Sequence, residues 1–150
     1  MENKNRMTKQ DVQDLYNMIT KKLKITYTVF DPVNATDPQA LGVCYTRPGG
    51  TSKIQLNMPL IVRVYKEHKG SYWHKEFCTS TTNLWDTVAA VIIHELAHAA
   101  KHHKIYKLFP YLTEEMRQGI FKQDPDHPTK GNNSSDFVIR CMALMGLWLK

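Results

Sequence analysis

Disulfide-stapled scaffolds and zinc ribbons are excluded by the small number and wide spacing of the cysteines. The 150-residue chain contains only Cys44, Cys78 and Cys141, and no two of them form a C-x-x-C pair. Both kinds of scaffold need cysteines in close, paired spacing. Three scattered cysteines instead indicate a reducing compartment, in which each cysteine serves as a small buried hydrophobic residue.

The chain also lacks a long hydrophobic run. Its first six residues, MENKNR, are polar and no apolar segment follows them, so no secretory signal is predicted. The longest apolar stretch, residues 141–149, is too short to cross a bilayer. These absences predict a cytoplasmic protein without a membrane partner.

Composition excludes the disordered and fibrous classes. Hydrophobic residues make up 42% of the chain and charged residues 23%, as in an average globular protein. The length predicts one domain over residues 1–150, with disorder confined to residues 1–7, and we expect a monomer. The formal net charge of +6 fits an acidic partner such as DNA, but it fits ordinary solubility equally well.

The first third of the chain predicts a helix followed by a small sheet. Apolar residues recur at helical spacing over residues 8–24, with Thr8 as the N-cap. Runs of β-branched and aromatic residues predict strands at 25–30, 41–45 and 53–57. Because short turns connect antiparallel strands, we expect a small, mainly antiparallel sheet.

Residues 61–82 predict one further, inserted hairpin. The segment mixes basic and aromatic side chains, a combination that can neutralise and stack on nucleic acid. The residues that would make such contacts, with nucleic acid or with substrate, are Lys66, Lys69, Tyr72, Trp73 and Lys75. A solvated hairpin with one face on the core explains the same pattern.

The remaining chain predicts a buried helix, a loop-rich return and a final helix. From Asn83 to about residue 106 the apolar residues cover nearly the whole helical circumference, which is typical of a buried helix. Residues 107–133 are loop-rich, and a C-terminal helix is expected at 135–149. The predicted class is therefore α+β, with the sheet packed on an N-terminal, a central and a C-terminal helix.

The central helix carries the sequence His94-Glu95-Leu96-Ala97-His98. Helical positions i and i+4 share a face, so His94 and His98 can direct two imidazoles at one ion, and Glu95 can reach a water beside it. This H-E-x-x-H arrangement is that of zinc hydrolases. Random placement of the same residues would produce the pattern in about 1% of shuffled chains. The alternative is a polar cluster in which these side chains bond one another.

A catalytic zinc site needs a third protein ligand. His102 lies eight residues beyond His94, about 12 Å along the helix axis, which is too far for one tetrahedral ion. His127, in the polar return loop, is the favoured ligand. Asp124, Asp126, another residue, or a site without a third protein ligand remain as alternatives.

Three features in order give the chain a resemblance to the SprT-like zinc metallopeptidases, which include bacterial SprT and the eukaryotic DNA–protein crosslink protease Spartan. Residues 53–60, KIQLNMPL, resemble the family's I-x-L-N-x-x-L segment, and residues 91–99, VIIHELAHA, are similar to its active-site helix. A polar loop then leads to a helix with an early aromatic, Phe137. The family has a histidine four residues before that aromatic, where this chain has Asn133.

The resemblance implies a minimal zincin fold and a zinc-dependent endopeptidase. His94 and His98 would bind one Zn²⁺, and Glu95 would be the general base that activates water. The expected substrates are proteins, including DNA-associated ones. Two alternatives stay open: a binding module in which the metal only staples the fold, and a zinc amidohydrolase that acts on a small substrate.

Overall fold

The structure is a computed structural model that describes residues 6–46, 50–67 and 83–102, in the last range without the side chains of positions 97 and 100–102. It contains three helices and three strands in these ranges, arranged as a small α+β domain. We number them α1 (Lys9–Leu23), β1 (Thr28–Phe30), β2 (Gly42–Tyr45), β3 (Ser52–Leu56), α2 (Met58–Glu67) and α3 (Leu84–His102).

Helix α1 begins where its sequence predicts. The Thr8 hydroxyl accepts a hydrogen bond from the Asp11 backbone N–H, and the Thr8 N–H donates to the Asp11 carboxylate, which together form a capping box. Lys24 ends the helix in the left-handed conformation, with φ of 56°. One stripe of side chains is buried against the core: Val12, Leu15, Tyr16, Ile19 and Leu23. The predicted helix and its apolar face are both confirmed.

The sheet is mixed rather than mainly antiparallel. Its strand order is β1-β3-β2, with β2 antiparallel to β3 as predicted, but with β1 parallel to β3. The segment after β1 crosses to the far edge of the sheet, and the chain then returns through β3 between the two earlier strands. The prediction was wrong here because it assumed that strands adjacent in sequence also pair in space.

Residues 58–67 form helix α2 and not part of a hairpin. Asn57 caps this helix, because its side-chain oxygen accepts a hydrogen bond from the Leu60 N–H. Leu60, Ile61 and Val64 recur at helical spacing and are buried. The β-branched residues had suggested a strand, and their burial on one helical face outweighed that local preference. The remainder of the predicted hairpin, residues 68–82, lies outside the described residues.

Helix α3 is the centre of the core. Its residues 88–93 are all at most 1% exposed, as the apolar sequence predicted. The helix packs against α1, α2, β2 and β3, so the site that it carries is enclosed from several sides. Asn83 caps α3: its side chain accepts a hydrogen bond from the Asp86 N–H and donates one to the Asp86 carboxylate.

Several predictions concern residues that the structure does not describe. They are the disorder of residues 1–5, the loop-rich segment 107–133 and the C-terminal helix 135–149. Within the described ranges, no helix combines the length and the apolar character needed to cross a membrane. Residues 6 and 7 contact the rest of the domain, since the Trp85 indole N–H donates to the Arg6 carbonyl and Met7 packs on the core.

Candidate metal centre

Helix α3 brings the two histidines of the H-E-x-x-H sequence together. The Nε2 atoms of His94 and His98 lie 3.1 Å apart, and the two rings stand nearly perpendicular, with centroids 4.6 Å apart. Two nitrogens bound to one tetrahedral zinc ion at the usual bond length would be separated by about 3.3 Å. The pair therefore has a spacing that one metal ion can bridge.

Glu95 completes a cluster of three potential ligands. One ligand atom from each of His94, Glu95 and His98 can be chosen so that all lie within 4.8 Å of one another. The three residues are 3%, 4% and 7% exposed, in the order given. Three polar side chains are thus grouped on a helix whose preceding residues 88–93 are apolar and buried, and buried polar groups need partners to offset their lost hydration.

Burial keeps the first imidazole in the form that binds metals. The pKa of His94 falls from its ordinary 6.5 to about 3, mainly because burial disfavours the imidazolium and secondarily because of the neighbouring His98. A neutral imidazole offers a nitrogen lone pair to a cation. Two nitrogen donors with a carboxylate beside them are the donor set that zinc favours, so the residues present fit a zinc ion.

Strand β2 covers the acidic member of the cluster. Gly42, the first residue of β2, lies against the Glu95 side chain. Val91, one turn before Glu95 on α3, also lies close to Gly42. This contact was not predicted from the sequence. The available signal was a glycine within a predicted strand, which often marks close approach of another group to the backbone.

The other predicted site residues are not brought to this cluster by the described part of the structure. Lys66 is exposed in the last turn of α2. The favoured third ligand, His127, lies outside the described residues, as do its alternatives Asp124 and Asp126. The contact residues Lys69, Tyr72, Trp73 and Lys75 also lie outside. Their roles remain predictions.

Comparison of the chain with protein-family models, with curated proteins and with solved structures finds no match.

Proposed function

We propose that this protein is a zinc-dependent metalloendopeptidase of the SprT-like type. The observation that carries the proposal is the buried cluster of His94, Glu95 and His98, with ligand atoms within 4.8 Å of one another on one turn of α3. A helix holds such a group rigidly, and the surrounding core excludes bulk water, which strengthens electrostatic interactions inside the site.

The ligands proposed for the ion are His94 and His98, with His127 as the third. A bound zinc ion would supply Lewis acidity, which serves to polarise a peptide carbonyl and to lower the pKa of water in the site to about 7. Glu95 acts as general base: its carboxylate takes a proton from the attacking water and then passes it to the leaving amine nitrogen.

The order of elements supports the SprT-like assignment. Strand β3 and the start of α2 occupy the segment that resembles the family's I-x-L-N-x-x-L sequence, and this segment packs next to the helix that bears the histidines. We further propose an intracellular monomer that acts on protein substrates, including DNA-associated ones. The net charge of +6 is compatible with an acidic partner near the substrate.

The test pairs zinc content with proteolysis. Glu95→Gln keeps the side-chain shape but removes the base, so we expect it to retain zinc and to lose casein cleavage by a factor of about 100 or more. His98→Ala is expected to lose both. His102→Ala is the matched control, because His102 lies about 12 Å along the axis from His94 and should change neither.

Four results would contradict the proposal in different ways. Zinc that remains bound after His98→Ala would place the metal elsewhere. A Glu95→Gln variant as active as the parent would remove Glu95 as the base. A zinc-loaded parent that cleaves neither casein nor short peptides would favour a metal-stapled binding module, whereas cleavage of short amides alone would favour an amidohydrolase.

A further inference from the structure

Strand β2 passes unusually close to the side chain of Glu95. A Cβ atom added at Gly42 would lie 3.0 Å from the Cγ atom and 3.1 Å from the Oε2 atom of Glu95, and 3.2 Å from a Cγ atom of Val91. Nine in ten of the contacts that Cβ atoms make in real proteins are longer than these distances. The strand can take this path with an undisturbed Glu95 only because residue 42 is glycine.

Both sides of this contact lie in the core. Glu95 is 4% and Val91 1% exposed, and both belong to the central helix. On the strand side, Gly42 pairs with Leu56 of β3, and the carbonyl of the preceding Leu41 accepts a hydrogen bond of 2.8 Å from the Asn57 N–H. A methyl group at position 42 would therefore press on the carboxylate, which is the far end of a rotatable side chain.

Strand β2 requires a small residue only at position 42, where it passes Glu95. Cys44 follows two positions later on the same face of β2 and pairs with Ile54, and it carries a full side chain there. Close packing of β2 on α3 as such does not require glycine. The requirement arises where the strand crosses the proposed base.

We propose that Gly42 is a positioning residue that holds the Glu95 carboxylate in its working orientation. The inference rests on the proposed function, since it assigns Gly42 a role through the general base. Because residue 42 has no Cβ, the Glu95 carboxylate can lie directly against the β2 backbone. The β2 backbone on one side and Val91 on the other then limit where the carboxylate can lie. Displacement of a reacting group by even a fraction of an ångström lowers the rate, and 1 Å can cost about 100-fold.

The experiment measures zinc content, casein-cleavage kinetics and thermal unfolding of the full-length Gly42→Ala variant. We expect kcat to fall about 10- to 100-fold, with KM and zinc content unchanged. Gly50→Ala is the matched control, because it makes the same substitution at an exposed glycine before β3 and should keep the parent's kcat. A merely structural role would lower zinc content and unfolding temperature together and leave kcat per zinc unchanged.

A second variant separates crowding of the core from displacement of the base. Gly42→Ala combined with Val91→Ala removes the Val91 contact and leaves the Glu95 contact. Against Val91→Ala alone as the reference, we expect the added alanine to cost less stability than it does in the parent, while kcat per zinc stays low. Recovery of kcat by the double variant would overturn the inference.

In a Glu95→Ala protein, which lacks the two nearest atoms, Gly42→Ala should lower the unfolding temperature less than it does in the parent. An equal loss in both would also overturn the inference.

Failure of this inference is distinguishable from failure of the proposed function. A parent without zinc or hydrolytic activity would overturn the proposed function and, with it, the role of Gly42. An active, zinc-loaded parent whose Gly42→Ala variant has the same kcat would overturn the role of Gly42 alone.

Discussion

The Nε2 atoms of His94 and His98 face each other at 3.1 Å inside the core of this protein. The same spacing permits two arrangements: an N–H···N hydrogen bond between neutral rings, or two lone pairs directed at one cation. Glu95 lies beside the pair, and one of its carboxylate oxygens belongs to the group of ligand atoms that lie within 4.8 Å of one another, so a cation bound by both rings would lie close to it.

Removal of zinc is expected to destabilise the parent. A ligand that binds only the folded state adds about 2.7 to 4.1 kcal/mol when its free concentration is 100 to 1,000 times its Kd. Addition of a chelator should therefore lower the unfolding temperature of the parent and of His102→Ala, as followed by circular dichroism. His98→Ala should be insensitive to the chelator. Equal sensitivity of His98→Ala and the parent would show that the ion binds elsewhere.

Acid is expected to destabilise the metal-free protein through His94. Its pKa is about 3 in the folded state and near 6.5 when unfolded, so between these values the unfolded chain binds more protons. Stability conferred by the neutral ring is thus complete above about pH 6.5 and declines as the pH falls, by up to about 1.4 kcal/mol per pH unit.

Urea unfolding at a series of pH values in the presence of a chelator measures this effect. The control is His94→Gln, which has no titrating ring at position 94. Its free energy of unfolding should depend less on pH than that of the parent between about pH 6 and pH 4. Parallel curves for the two proteins would contradict the prediction. The comparison between variant and parent cancels the carboxyl groups that titrate in the same range.

The centre of the sheet is expected to be sensitive to truncation. Ile54 is fully buried and pairs with Phe30 of β1 on one side and Cys44 of β2 on the other. Ile54→Ala should lower the free energy of unfolding by about 2 to 5 kcal/mol, because it removes buried methyl groups and leaves a cavity. Val33→Ala, at a residue that is 61% exposed, should change it by less than about 0.5 kcal/mol. Urea unfolding of both variants checks the contrast.

DNA binding, if it accompanies the proposed function, should depend on Lys66, Lys69 and Lys75. Their joint replacement by alanine should reduce the slope of log K against log salt by about one unit for each lysine that contacts a phosphate. Replacement of the exposed Lys9, Lys21 and Lys22 of α1 removes the same charge and is the control. Fluorescence anisotropy with a labelled duplex measures both. Equal slopes for the two triple variants would exclude a specific role for residues 66–75.

Prediction from sequence succeeded where structure depends on neighbours within a few residues. The stripe from Val12 to Leu23 has the helical period, which predicts α1 and its buried face. The apolar residues of α3 cover nearly its whole circumference, which predicts a helix buried on all sides. Prediction failed at α2, where β-branched side chains suggested a strand. The Asn57 cap and the burial of Ile61 and Val64 selected a helix there.

The spacing of His94 and His98 was determined by the sequence itself, because the helical repeat places residues four apart on one face whatever surrounds them. Which strand crosses Glu95 was decided only by the tertiary structure. The parallel pairing of β1 with β3 and the contact of Gly42 with Glu95 join residues far apart in the chain. No local preference specifies such contacts, since they form only when the whole core packs.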